Sequence, residues 1–599
     1  MPERRAPAWR GLAAAMAGAL LVSAWSGPGL AEPPAQAGQF ILAARQYLGH
    51  GDGIGAEVQL RRALEAGASR ETVAAYMGEA FIQQDALEKA RRWLEPGQFS
   101  SDSAAVGYRA LGKLEQQEGN LPAAGRAFDR AIKLTPRDAT MWVEIGRLRY
   151  AGTEHVLAIE AADYALELDP QNVRALEFRG QIVRDQLGLV AALPWFEAAL
   201  KLAPADLSVM GEYAATLGEL GRAREMLAVT RKMLDLDPKS SRAYYLQAAM
   251  AARAGNTELA RTLLERIDDT FADLLGAMLL EGVLQIRSGN YFLAIEALEK
   301  LAKRQPANAR AQDLLARAYF LAGEHGEVVR RFAVAASRED ASSYLQTLVA
   351  RSYEALGQRN MAGPLLDRAA FRRREEVIPV YQGSPVGRLI ADGRLAEAEA
   401  TTEADRAAFP GSAHNEALAG DVQLAMGHDR AALERYRKAA YVRLSESLLS
   451  RMVAAHLKAD EKQQARALAD TFLYWNPTSR PAMRLSANLA AETGDWHRAR
   501  LLLEYLRANG SSRDVALMSD LSLVQLRDGD ARQAALTARE AYRVQRASPV
   551  AAQALGLSLA ALGQSPANAR ALLEKARLIM GDSPLLAEGR RLLAMNRQG

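Results

Sequence analysis

The chain has 599 residues, of which 49% are apolar but only 6% aromatic, and it contains no cysteine. The lack of cysteine excludes disulfides, thiolate metal sites, a cysteine nucleophile and a lipid-modified N-terminal cysteine. The 75 basic and 71 acidic residues leave a net charge of +4, too even a balance to indicate nucleic acid as a partner. An apolar fraction this poor in aromatics must form its core from alanine and leucine, which is typical of closely packed helices.

The N-terminus has the pattern of a secretory signal peptide. Arginines at positions 4, 5 and 10 precede an apolar run over residues 12–25, and a small-residue cleavage site ends at Ala31. An uncleaved membrane anchor is disfavoured, because spanning a bilayer takes about 20 apolar residues. We therefore expect removal of residues 1–31 and a mature chain that is periplasmic, is not a lipoprotein and has no transmembrane segment after cleavage.

The rest of the chain repeats with a period of 34 residues. Prolines recur at this spacing, with Ala272 at the one skipped position: Pro136, Pro170, Pro204, Pro238 and Pro306. In windows that begin 31 residues before each proline, the eighth position is Gly or Ala and the fifteenth is mostly Gly. Ten such windows follow one another in register from residue 37 to residue 376. A fixed period of this length is the mark of a repeat architecture.

Each window predicts two helices joined by a turn. Small residues at the eighth and twentieth positions let the two helices approach closely. Glycine at the fifteenth position ends the first helix in a left-handed conformation, and proline near the end of the window is tolerated in the turn into the next helix. One unit is too small to bury its own apolar face, so the units must stack.

These features resemble the tetratricopeptide repeat family. The residues that carry the resemblance are clearest in window 105–138: Tyr108, Leu111, Gly112, Gly119, Ala124, Phe128, Ala131 and Pro136. The resemblance covers about nine-tenths of the chain. It implies an all-α fold, a right-handed α-solenoid of about sixteen helix-turn-helix repeats with a C-terminal capping helix over 584–596. It also implies a role in protein binding.

The register breaks after residue 376. Residues 377–392 carry two prolines and a glycine where a first helix is expected, and the pattern resumes out of phase. The sequence therefore divides into a signal peptide (1–31), an N-terminal solenoid (32–376), an irregular break or hinge (377–392) and a C-terminal solenoid (393–599). A hinge between two arms and one irregular repeat within a continuous superhelix are equally compatible with this pattern.

The sequence contains no recognisable catalytic, cofactor or metal site. Its 7 histidines are scattered over many repeats, and none forms a close pair with metal-ligand spacing. There is no nucleophile elbow and no phosphate-binding lysine loop. We predict that the protein is not an enzyme and needs no cofactor.

The remaining functional signal lies on the first helix of each window. Positions two, five, nine and twelve share one face, and the resemblance implies that this face lines a concave groove that binds partners. The candidate binding residues are Arg109, Lys113, Arg147, Tyr150, Arg174, Arg184, Arg310, Arg317, Tyr344 and Arg351. A basic groove with aromatics could hold acidic peptide segments, because arginine offers a bidentate fork, or it could follow an anionic polysaccharide. Alternatively, these arginines only solvate the groove.

Two functions follow from this pattern. The first is an exported, non-enzymatic scaffold that binds protein partners. Its middle windows are similar to long repeat proteins of exopolysaccharide export and exosortase-linked systems, through Gly282, Gly289, Ala294, Leu298 and Pro306. The second is direct binding of an anionic polysaccharide, or an accessory role in glycan processing.

Overall fold

The computed structural model describes residues 35–49, 51–306, 308–338, 341–370 and 384–595. The predicted signal peptide lies outside these residues. The described residues form α-helices and no β-strand, which confirms the all-α fold. Within them, no helix combines the length and the apolar character needed to cross a membrane.

The chain divides into two compact units, Met1–Leu134 and Thr135–Gly599. The first unit contains α1 (Ala35–Gly49), α2 (Gly53–Glu65), α3 (Arg70–Gln83), α4 (Leu87–Leu94), α5 (Ala104–Gln117) and α6 (Leu121–Leu134).

The second unit contains the remaining helices. Up to residue 370 they are α7 (Ala139–Ala151), α8 (His155–Leu168), α9 (Val173–Gln186), α10 (Leu189–Leu202), α11 (Leu207–Glu219), α12 (Ala223–Leu236), α13 (Ser241–Arg253), α14 (Thr257–Leu264), α15 (Asp269–Ala272), α16 (Leu275–Arg287), α17 (Tyr291–Arg304), α18 (Ala309–Leu321), α19 (His325–Ser337), α20 (Ser343–Ala355) and α21 (Arg359–Ala370).

After residue 383 they are α22 (Pro385–Ala391), α23 (Leu395–Ala408), α24 (Ala413–Ala425), α25 (Asp429–Val442), α26 (Glu446–Lys458), α27 (Lys462–Trp475), α28 (Arg480–Glu492), α29 (Trp496–Leu506), α30 (Val515–Arg527), α31 (Ala531–Val544), α32 (Pro549–Ala561), α33 (Pro566–Met580) and α34 (Pro584–Met595). The segment Arg507–Ser511 that follows α29 is a kinked turn, in which Asn509 and Gly510 depart from helical backbone angles.

The unit boundary falls inside the ten predicted windows and not at 377–392. The second unit spans the predicted break because α9 packs against α25 and α10 packs against α27, on opposite sides of it. Residues 377–383 lie outside the described residues. The end of the segment is helical rather than irregular, since α22 packs against α23 and α24.

The eighth position of the window is where the two helices of a repeat approach most closely. A Cβ atom on Gly180 of α9 would lie 2.7 Å from Phe196 Cε1 of α10, closer than real Cβ contacts come. Gly282 meets Leu298 and Gly420 meets Tyr436 in the same way. The predicted small-residue contact is therefore present, with a large apolar side chain of the second helix filling the space.

The last residue of the window caps the next first helix. The side chains of Asp138, Asn172, Asp206, Asn308 and Ser342 each accept a hydrogen bond from a backbone N–H in the first turn that follows. A cap of this kind stabilises a helix by about 1 kcal/mol. The turn between windows therefore both ends one repeat and begins the next.

We expect Gly180→Leu to lower the free energy of unfolding by about 1–3 kcal/mol, because the new side chain must displace Phe196. Gly326 in α19 is the matched control, since nothing lies within 4 Å of the Cβ position there. Gly326→Leu should leave stability unchanged or raise it slightly through helix propensity. Urea unfolding followed by circular dichroism measures both, and equal stability of the two variants would contradict the packing described.

Candidate partner-binding surface

We call the surface formed by window positions two, five, nine and twelve the first-helix face. In the first unit, α5 contributes Arg109 and Lys113 to it. Arg109 lies 3.7 Å from Glu79 of α3, so this guanidinium already faces a carboxylate. The remaining candidate residues lie in the second unit, on α7, α9, α18 and α20.

Glu177 organises the first-helix face between α7 and α9. Its side chain is 2% exposed and lies 3.2 Å from Arg147 and 3.0 Å from Arg174. The Ser208 hydroxyl donates to its other oxygen at 2.5 Å. Arg174 also reaches Asp206 at 3.0 Å. Two of the predicted binding arginines are therefore held by carboxylates of the chain itself.

Glu212 does the same between α9 and α13. Its carboxylate lies 2.9 Å from Arg184 and 2.6 Å from Arg242. Burial acts to raise the pKa of Glu212, but the two guanidinium charges outweigh it, so the pKa lies below its ordinary value. Tyr150 donates its hydroxyl to Asp185, and burial together with that bond raises the tyrosine pKa.

Glu177 is itself at a face position, whereas three other acidic partners lie just outside the face positions. Glu212 is at window position six, Asp185 at position thirteen and Asp206 at position thirty-four. Glu212 and Asp185 each lie one residue from a face position, and Asp206 lies two residues before the next one. Because the first-helix face excludes these three positions, sequence reasoning missed their compensating charge.

The first-helix face differs on α18 and α20. Arg310 and Arg317 are exposed, and among the described residues no carboxylate oxygen lies within 4 Å of either guanidinium. Tyr344 is 45% exposed. Burial raises the pKa of Tyr344, while Arg317 and Arg310 act in the opposite direction. Asp313 adds to the rise, so two cationic charges and one anionic charge lie near the ring. Arg351 differs, since it pairs with Glu354 at 2.6 Å.

A large cavity of about 1330 Å³ adjoins the first-helix face of the second unit. Side chains of α9, α11 and α13 line one side of it, and residues 443–447 and 476–481 line the other. A smaller cavity of about 390 Å³ lies beside it and contains Tyr150, His155, His414 and Arg451. Both cavities include Asp185 and Arg443.

Two histidines of the smaller cavity are held toward the neutral form. Burial lowers the pKa of His155, with Asp185 opposing and Arg443 adding to that effect. Burial also lowers the pKa of His414, helped by Arg451 and opposed by Asp405. In the part of the chain that the structure describes, no group of three or more histidine or carboxylate side chains could hold a metal ion.

We expect Glu177→Ala to destabilise the second unit by about 3 kcal/mol, because it leaves two partly buried guanidinium groups without their shared carboxylate. Glu225→Ala is the control. It breaks an exposed pair with Arg222, whose contribution solvent screens, so its unfolding midpoint should hardly move. A similar, small effect of both variants would show that the Glu177 network is not structural.

Stability should fall as the pH is lowered through about 6.5, the ordinary pKa of histidine. The folded-state pKa values of His155 and His414 are lowered, so the unfolded chain binds protons more strongly and acid favours it. We expect this pH dependence to be smaller in the double variant His155→Gln/His414→Gln, and unchanged in His497→Gln, whose side chain is 75% exposed. Urea midpoints at about pH 7.5 and pH 5.5 measure it. An unchanged dependence in the double variant would contradict the assignment.

The model of the tetratricopeptide repeat family matches residues 109–173, 157–206, 209–273 and 279–327. The chain is 23% identical over 215 residues to Protein CTR9 homolog of Arabidopsis thaliana, an alignment that covers 32% of this chain and 19% of that protein. The chain thus spans about a fifth of the length of this curated relative.

Among solved structures, the chain is similar to the crystal structure of the APC/C hetero-tetramer Cut9-Hcn1, with 11% identity, a TM-score of 0.40 and coverage of 94% of this chain and 96% of that one. It is also similar to a tetratricopeptide repeat protein from Parabacteroides merdae, with 19% identity, a TM-score of 0.29 and coverage of 40% and 95%. The repeated family match and the helix pairs that recur in the same phase lead to one conclusion. The described residues are all-α, and the parts of the chain that the family model matches within residues 109–327 are tetratricopeptide repeats.

Proposed function

We propose that the protein is a non-enzymatic scaffold that binds protein partners through the first-helix face of its second unit. The observation that carries this proposal is the pair Arg310 and Arg317 beside the half-exposed ring of Tyr344. Charges that stabilise the fold are paired with carboxylates, as at Glu177 and Glu212. Arg310 and Arg317 share their helix with Asp313, whose carboxylate feels the charge of Arg310 but forms no ion pair within 4 Å with either arginine. The hydrogen-bond donors of the two guanidinium groups are therefore available to a ligand.

The chemistry of this surface fits an acidic segment of a partner. A guanidinium fork binds a carboxylate with two parallel hydrogen bonds, and a tyrosine ring offers an apolar plane at a small entropic cost. On α16, the preceding first helix, Leu279 and Val283 are half-buried and extend the face with apolar area. A partner segment whose carboxylates contact α18 and whose adjoining apolar side chains contact α16 would match this surface.

The proposed place of action is the cell envelope. The basic start, apolar run and small-residue site over residues 1–31 support export to a periplasm. A chain without cysteine has no lipid anchor of its own, so its position would come from binding its partners. The resemblance of the middle windows supports a place in a polysaccharide export or assembly complex.

A second candidate is direct binding of an anionic polysaccharide, and Tyr344 is the observation that favours it. An exposed aromatic ring with two arginines nearby can stack on a sugar while the guanidinium groups bind its carboxylates. The same residues could thus bind either an acidic protein segment or an anionic polysaccharide, and the two proposed functions differ only in which of these ligands binds.

We expect Arg310→Glu/Arg317→Glu to lose partner binding by about tenfold or more, because each reversal replaces a donor fork with a repelling carboxylate. The control is Arg330→Glu/Arg394→Glu. Both of these arginines are exposed, and neither lies on a first helix, since Arg330 is on α19 and Arg394 immediately precedes α23. Proteins captured from an envelope extract by each immobilised full chain are quantified by mass spectrometry, and alginate binding is measured in parallel.

Specific proteins captured by the unchanged chain and the control, but lost from the first variant, would support the scaffold. Alginate binding that follows the same pattern without any specific protein would favour the polysaccharide binder. Capture that is equal for all three chains would show that the α18–α20 surface is not the binding site.

A further inference from the structure

Within the second unit, two stretches of the solenoid that are far apart in sequence touch each other. We call this contact the seam. On one side are α8 and the turns that follow α9 and α11; on the other are the loops that precede α24, α26 and α28. The hydrogen-bonded residues across it are 255 to 289 positions apart in the chain.

The seam is held by a short series of polar contacts. Gln186 donates its side-chain amide to the carbonyl of Tyr441 at 2.7 Å, and the Leu444 N–H donates to the carbonyl of Asp185 at 3.1 Å. The Arg443 guanidinium lies 3.9 Å from the carboxylate of Asp185. This part of the seam joins the end of α9 to the loop before α26.

In the next part of the seam, the side chain of Asn476 acts as both hydrogen-bond acceptor and donor. Asn476 accepts a hydrogen bond from the Leu189 N–H and donates one to the carbonyl of Leu187, both at 3.3 Å. Thr478 donates its hydroxyl to the carbonyl of Glu219 at 3.0 Å. The side chains on this side thus bond to the backbone of two successive turns.

The sequence adapts the α9–α10 turn to this contact. At the fifteenth window position, where most windows have a glycine with positive φ, this window has Leu187, and the neighbouring Gly188 takes φ +137. A Cβ atom on Gly188 would lie 2.4 Å from Asn476 Nδ2, so any larger residue would push the asparagine away.

The seam consists mainly of polar contacts, which makes it able to open. Several of its hydrogen bonds are exposed to solvent, and no apolar cluster formed by the described residues joins α8–α11 to α24–α28. Regions with few buried apolar contacts and exposed hydrogen bonds are those that open locally without global unfolding. The helix pairs on each side, in contrast, are held by their own apolar cores.

The seam adjoins the cavity of about 1330 Å³, which Arg184, Arg242 and Arg253 line from one side and Arg443 and Arg480 from the other. We propose that the seam is a reversible gate beside this open cavity, so that the part of the first-helix face lining the cavity becomes more accessible to a partner segment when the two stretches separate. Only the identity of what enters rests on the proposed function; the gate itself is a property of the chain alone.

A disulfide that locks the seam tests the gate. A Cβ atom on Gly411, before α24, would lie 3.7 Å from Val156 Cβ on α8, within the range of about 3.5–4.5 Å found in disulfides. The full chain has no cysteine of its own, so Val156→Cys/Gly411→Cys introduces the only two thiols. Each single variant measures the effect of its substitution without the cross-link.

Hydrogen exchange by mass spectrometry is compared between the oxidised and reduced double variant. We expect segments 186–191 and 441–447 to exchange about tenfold or more slowly when oxidised, while α30–α32 stay unchanged. Asn476→Ala should speed exchange in the same two segments. Asn509→Ala is its control, because that side chain bonds only locally, to the Tyr505 carbonyl.

Gly411 has φ +82, where a cysteine side chain is strained, so the single variant Gly411→Cys must first unfold at the same urea midpoint as the unchanged chain. With that condition met, failure of the disulfide to form would show that the two stretches are not adjacent in solution, and equal exchange in both forms would show that the seam does not open. Either result overturns the gate. Neither depends on a partner, so both are distinguishable from a failed capture experiment, which would instead overturn the proposed scaffold.

Discussion

The close approach of two helices at one small residue is the constraint on which the rest of the structure depends. At Gly180 there is room only for hydrogen, because Phe196 of the second helix occupies the space. Contact at this distance fixes the angle and spacing of the pair, and stacking repeats the same relation along the chain. The alanine-rich composition follows from it, since alanine is the largest residue that many of these positions accept.

The period and the helix pairs could be predicted because each is a local property that recurs. A residue type repeated every 34 positions reports the same packing environment each time, so Pro170 and Gly180 mark a turn and a contact without any knowledge of the fold. The helix caps at Asn172 and Asp206 have the same period and could have been read with it.

The charges of the site could not be assigned from the face positions alone. Arg184 reads as a binding residue in sequence, but its partner Glu212 comes from the next first helix and sits one position off the face. A partly buried guanidinium is stable only with a compensating charge. The clustered arginines Arg147, Arg174 and Arg184 therefore form ion pairs within the fold and are not available to a partner. The same reasoning gives Arg310 and Arg317 their significance, because both are exposed and, among the described residues, neither forms an ion pair within 4 Å, although Asp313 on the same helix interacts with the charge of Arg310.

The seam is a contact that the repeat period of the sequence does not predict. Asn476 and Leu189 meet because the stacking of many repeats brings distant turns together, and small changes of angle in each repeat add up over that distance. The one local trace is Leu187, a departure from glycine where the period calls for it. A surface made by repetition is thereby bordered by a contact that is not repeated. A few exposed hydrogen bonds hold this contact, and they stabilise it less than apolar packing stabilises each repeat.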